Sequence, residues 1–145
     1  TIVMGYNIYE NVSNIDFDIL KSELDSIERI SSPFMQQNGF SLNRDHNEDV
    51  LAIDYSGKSS KYWGNIGMKY EENKSSQEVR LFEFYILKAY DAEGKRFYKK
   101  ENLEKLYTLE QIKEQLYELF EKCIAIYNSL EDHDLTDSVT LRRLT

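Results

Sequence analysis

Apolar residues between Asn14 and Ile30 fall at Ile15, Phe17, Leu20, Leu24, Ile27 and Ile30, while Asp18, Lys21, Glu23, Asp25 and Glu28 fill the gaps. Steps of mostly three and four residues put the apolar set on one face, so the segment predicts an amphipathic helix. Ser13, Asn14 and Asp16 supply capping groups and acids for its first turn. Ser32-Pro33 either ends this helix or opens a second short one with proline at the first position, and Asn38-Gly39 stops the helical stretch. Upstream, Ile2, Met4, Tyr6 and Ile8 alternate with Val3, Gly5 and Asn7, which reads as an extended arm or an edge strand within residues 1–12.

The pattern then changes period. Strands are expected at Val50 to Tyr55, Lys61 to Tyr70 and Glu78 to Tyr90, separated by the polar stretches Ser56 to Ser60 and Glu71 to Ser76, which read as hairpin connections. A short strand at Lys95 to Lys99 follows through Asp91-Ala92-Glu93-Gly94, and Asn102 to Tyr107 is expected to add one turn of helix. From Thr108 the helical period returns. Thr108-Leu109-Glu110-Gln111 fits a capping box, and Leu109, Ile112, Leu116, Leu119, Phe120, Cys123, Ile126, Tyr127 and Leu130 form one apolar stripe behind it. A polar, acidic tail occupies residues 131–145.

This order predicts an α+β domain over residues 1–145: an antiparallel meander of about four strands flanked by an N-terminal and a C-terminal helix, both helices on one sheet face. The third strand bears on the other face. Val79, Leu81, Tyr85, Leu87 and Ala89 point one way, and Phe82, Phe84, Ile86 and Tyr90 the other. A strand apolar on both sides is covered on both, whether by curling of the sheet, by the N-terminal arm or by a partner.

With 41% hydrophobic residues, 11 Tyr and 7 Phe in 145 residues, the composition is that of a folded domain rather than a disordered chain. Asp and Glu number 26 against 18 Lys and Arg, and the resulting charge of −8 makes nucleic acid and anionic membrane poor partners. One cysteine cannot form an internal bridge, and with two separated histidines it leaves too few soft ligands for zinc. Thr1-Ile2-Val3-Met4-Gly5 lacks the layout of a secretory signal, so the expected setting is reducing and cytoplasmic.

No catalytic constellation emerges. His46 and His133 sit among acids, which would raise their pKa and weaken them as bases, and Cys123 lies on an apolar stripe as an ordinary buried hydrophobe. Asp45-His46-Asn47-Glu48-Asp49 resembles the start of a calcium loop, but Val50 stands where that loop needs glycine and Ser56 where it needs a bidentate Glu. Asp132, Asp134 and Asp137 form a cluster of equally low specificity. Gly64-Asn65-Ile66-Gly67 lies inside a strand without a phosphate-loop lysine, so its glycines are expected to permit a bulge or close packing beneath an aromatic ring. No metal or cofactor is expected, and the reading is that of a binding protein rather than an enzyme.

If Tyr62, Ile66, Met68 and Tyr70 face the helices, then Trp63, Asn65 and Lys69 face away, placing the only tryptophan on the helix-free side. An aromatic anchor beside polar groups has the composition of a protein interface. Acids gather in loops, at Asp45, Glu48 and Asp49, at Glu71 and Glu72 and from Glu131 to Asp137, and the first five with Trp63 are the expected partner contacts. In size, acidity and helix–meander–helix order the chain resembles the small acidic immunity proteins that bacteria pair with polymorphic toxins, including those of contact-dependent growth inhibition systems. That resemblance rests on no family motif. It implies a cytoplasmic inhibitor that binds a cognate toxin, often a nuclease, and occludes a basic active-site cleft. The same physics fits a phage antagonist of a host defence protein. A pocket lined by Tyr55, Tyr70, Tyr85 and Tyr90 between sheet and helices would instead make a small-molecule-binding or catalytic domain.

Overall fold

A computed structural model of the chain describes residues 14–43 and 51–137. It contains α1 (Asn14–Gln37), β1 (Phe40–Leu42), β2 (Ala52–Ser59), β3 (Tyr62–Tyr70), β4 (Phe82–Ala92), β5 (Lys95–Tyr107), α2 (Leu109–Glu114), α3 (Leu116–Ser129), a single 3-10 turn (Asp132–Asp134) and β6 (Thr136–Asp137). The strands form one antiparallel sheet in chain order: β1 to β5 are a meander, and the two-residue β6 returns after the C-terminal helices to pair with β5. The α+β class and the helix–meander–helix order are those the sequence predicts. The arm within residues 1–12, the Asp45 to Asp49 segment and the end of the polar tail lie outside the described residues.

One core fills the space between the helices and one sheet face. Leu24, Ile27 and Met35 of α1 and Ile112, Leu119, Phe120 and Cys123 of α2 and α3 meet Ile53, Tyr55, Ile66, Met68, Phe84 and Ile86 of the sheet. The helices that the sequence predicts from periodicity are thus the ones that bury their stripes here, except that Ile30, placed on the same stripe, is 50% exposed. Aromatic rings interlock edge to face at Tyr55–Phe120 and Phe84–Phe120, with centroids 5.7 and 5.5 Å apart.

Several boundaries differ from the sequence reading, each for a physical reason. α1 runs unbroken through Pro33. Proline cannot donate to the Arg29 carbonyl four residues back, and the turn before that carbonyl carries added hydroxyl bonds: Ser31 donates to Ile27 O at 2.8 Å, Ser32 to Glu28 O at 2.8 Å, and the Tyr55 hydroxyl to Glu28 O at 3.3 Å, which ties α1 to β2 there. The helix ends at Asn38-Gly39 as expected, where Gly39 takes φ 89°. The first expected hairpin loop is mostly strand, because β2 continues to Ser59 in register with β3. The third strand starts at Phe82 rather than Glu78.

The fourth strand is not short. β5 extends to Tyr107 and absorbs the segment expected to be a helical turn, because Leu106 and Tyr107 pair with Glu83 and Phe82 beyond a bulge between Glu83 and Tyr85. The capping box is present, with Gln111 N donating to Thr108 Oγ1 at 3.2 Å and Thr108 N to Gln111 Oε1 at 2.9 Å. The helix behind it breaks at Gln115 into α2 and α3.

Lys88 has a role the sequence does not reveal. Only 7% exposed, it points to the helical side, where its Nζ donates to Tyr127 O at 3.1 Å and Leu130 O at 2.8 Å. It therefore closes the C-terminus of α3, where free carbonyls and the helix dipole favour a cation. The rings of Tyr62 and Tyr127 flank the ammonium at 4.4 and 4.9 Å.

Candidate functional site

The sheet face without helices is polar at its centre. Asp54, 7% exposed, accepts from Asn43 and Asn65 Nδ2, each at 2.8 Å, and from the Tyr85 hydroxyl. Glycine at position 67 lets that tyrosine lie down on the sheet: a Cβ there would collide with the Ile53 carbonyl oxygen and the Tyr85 hydroxyl, and would stand 2.7 Å from Tyr85 Cζ. This is the close packing beneath an aromatic ring that the glycine pattern predicts. Burial, followed by the hydrogen bond to Asp54, pushes the Tyr85 phenol far above its ordinary value.

Around this centre Lys69 pairs with Glu83 at 3.7 Å, and Asn102 donates to Glu83 at 3.2 Å. With Ala52, Leu87 and Lys100 these groups line an open groove of about 540 Å³. Its two carboxylates are already satisfied by the chain itself, so the set reads as a self-contained polar network that rigidifies the face.

Trp63 lies on this side, half-buried, at the opposite end of β3 from Glu71 and Glu72. The Arg96 guanidinium covers its ring at 4.9 Å and is held there by Asp91 at 3.0 Å. The eight residues of extended chain between Trp63 and Glu71 span roughly 25 Å. The structure therefore does not bring the expected aromatic anchor and these acids together. Glu71 has a local task, its Oε1 accepting from Asn73 N at 3.1 Å in the turn after β3. Asp45, Glu48 and Asp49 lie outside the described residues.

The tyrosine pocket does not form. Tyr55 and Tyr70 are buried in the helix-side core, Tyr85 lies on the opposite face, and Tyr90 stacks on Phe97 with centroids 5.0 Å apart. Alternation along β4 turns Tyr85 away from Tyr90 and from the core side that holds Tyr55 and Tyr70.

Asp132, Asp134 and Cys123 each have a structural setting. Asp132 accepts from Lys61 at 2.6 Å and from the Tyr62 hydroxyl, and the Lys61 and then the Tyr62 hydrogen bond hold its carboxyl below the ordinary range. Asp134 accepts from Glu131 N at 2.9 Å. Burial pushes the Cys123 thiol up to about 12, far from a reactive thiolate. Among the described residues no group of His, Cys, Asp and Glu could hold a metal ion, and no helix is long and apolar enough to cross a membrane.

Charge is distributed by layer, a feature that strand and helix patterns alone do not expose. The helices α1, α2 and α3 carry nine Asp and Glu against four Lys and Arg, whereas β1 to β5 carry five against eight. The excess of positive charge lies on β5, with Lys95, Arg96, Lys99, Lys100 and Lys105. Between α1 and the α2–α3 break runs a second groove of about 520 Å³, walled by Ile30 and Tyr117 and bordered by Glu114 and Glu118. Comparison of the chain with protein-family models, curated proteins and solved structures returned no match.

Proposed function

We propose that this chain is a protein-binding inhibitor, an immunity protein that neutralises a cognate toxin by occluding a basic active-site cleft. The observation that supports it is the segregation of charge. An acidic helical layer backed by a basic sheet presents one oriented face to a cationic partner, which speeds encounter and fixes the docking direction. A nuclease fits this face best, because its cleft is built for phosphates and an acidic surface can take their place. On this reading the helices, not the Trp63 face, meet the partner. A phage-encoded antagonist of a basic host protein would use the same surface.

The test is retention of proteins from the source organism's lysate by the tagged full chain at physiological salt, followed by an activity assay of what is retained. A stoichiometric basic enzyme whose activity the chain abolishes supports the reading. Retention of no basic protein, where a candidate toxin is shown to be present and free, removes it.

A further inference from the structure

The acidic layer has an apolar centre. The stripe of α1 that the core uses contains Leu20, Leu24, Ile27 and Met35, all buried. Beside it Ile19 and Ile30 are left outside, 54% and 50% exposed, with the half-buried Ser26 between them. Positions eleven residues apart lie on one line of a helix, so both isoleucines face the same side of α1. Across from it Tyr117, 51% exposed, leans on Phe34 with ring centroids 5.3 Å apart. Three of the four large apolar side chains exposed among the described residues therefore sit on the helical layer, and two of them wall the same groove.

The groove has the layout of a hot spot with a charged rim. Ile27 and Leu116 make its floor, Ile30 and Tyr117 its walls, and Glu114 and Glu118 its border. The one lysine on the lining, Lys113, is tied to Glu23 of α1, which neutralises it and pins α2 against α1. The carboxylates of Glu114 and Glu118 pair with no cation among the described residues. The Gln115 break, at φ −120° and ψ 25°, lies in the groove wall, so the irregularity of the C-terminal helix falls where the surface opens.

The geometry points to this groove as the docking site of the partner: a cationic protein segment that inserts one aliphatic or aromatic side chain between Ile30 and Tyr117 while its Lys or Arg side chains meet Glu114 and Glu118. Charge complementarity selects this occupant over an acidic one, and the half-exposed apolar walls require more of it than charge. A purely polar partner would leave the apolar walls wet, and a purely apolar one would leave the rim carboxylates facing an uncharged surface. The inference rests on the inhibitor reading for its biological partner but makes a separate physical claim about where binding occurs.

The probe is a short amphipathic peptide of Leu and Lys, titrated into the isotopically labelled full chain at physiological salt and followed by amide cross-peaks. Shifts are expected at Ser26, Ile30, Phe34 and Gln115 to Glu118. Affinity is expected to fall about tenfold in Tyr117→Ala and in Glu114→Lys/Glu118→Lys, both on the surface and both checked for an unchanged melt. A peptide with Glu in place of Lys, or Ser in place of Leu, is expected not to bind. Shifts centred on β5 or the Trp63 indole, equal binding by Tyr117→Ala, or equal binding of the Ser peptide overturns the proposal. Peptide binding at the groove by a chain that retains no basic protein supports the groove and removes the inhibitor reading. A toxin retained at full strength by Tyr117→Ala removes the groove and keeps the inhibitor.

Discussion

Replacing Lys88 with Met tests whether a buried cation holds the end of α3. The substitution keeps the unbranched stem and removes the ammonium, so packing changes little and the two hydrogen bonds to Tyr127 O and Leu130 O are lost. Bonds to a charged donor contribute about 1.5–3 kcal/mol each, and a cation at a helix C-terminus adds about 0.3–1 kcal/mol. Against this stands the desolvation of an ammonium only 7% exposed, which costs several kcal/mol and which methionine does not suffer. The expected net is a loss of about 2 kcal/mol, or a fall in melting temperature of about 4–8 °C for a chain of this size.

Urea unfolding at neutral pH measures the loss directly, through a lower midpoint at unchanged slope. The pH dependence supplies an independent sign. Burial lowers the Lys88 pKa below 10.5, while Asp132 and Glu131 oppose the shift. Between the lowered folded value and 10.5 the unfolded chain binds more protons, so the wild type gains on Lys88→Met as pH rises through that window. A variant as stable as the wild type at pH 7 would refute the argument that Lys88 closes the helix, and no widening at high pH would refute the burial of its charge.

Other expectations follow from single observations. The Tyr70 hydroxyl is buried with no hydrogen-bond partner among the described residues, so Tyr70→Phe should raise stability by about 1 kcal/mol, read as a higher melting temperature. Gly67→Ala pushes against both the Tyr85 ring and the Ile53 carbonyl and should cost about 1–3 kcal/mol in urea unfolding; a neutral result would show that ring and strand both yield without loss. The Asp132 carboxyl titrates below its ordinary value because Lys61 and Tyr62 bind it, so its contribution is present above pH 3.8 and lost as pH falls through the folded value. Comparison with Asp132→Asn should therefore show a stability difference at pH 6 that closes in strong acid. Trp63 is the only tryptophan and faces away from the helices, so its emission should stay unchanged when a cationic peptide occupies the α1–α3 groove; a large shift would place binding on the sheet face.

What the sequence by itself determined was local. Three- and four-residue apolar steps specify α1 and the C-terminal helix, the Thr108 to Gln111 box marks a boundary to the residue, and alternation along β3 assigns Ile66, Met68 and Tyr70 to the core side. Each of these signals comes from residues a few positions apart, and the forces that read it act over the same range. Cys123 was legible as a core residue for the same reason. Only tertiary structure decided the rest. Asn102 to Tyr107 has the composition of a helical turn but becomes strand because β4 offers it a ladder. α1 continues through Pro33 while the distant Tyr55 hydroxyl, with Ser31 and Ser32, ties the preceding turn to the sheet. Lys88 is an ordinary strand lysine until α3 ends above it.

The candidate site was the least legible part. Trp63 and Glu71 are eight positions apart in sequence and look like neighbours, but an extended strand carries them to opposite ends of the sheet. Ile30 and Tyr117 are far apart in sequence and meet across a groove that exists only because two helices pack side by side and one of them breaks. Net charge is a sum over the chain and was visible at once. Its division into an acidic layer and a basic one depends on which elements share a side, and that is set by long-range packing that no local pattern encodes.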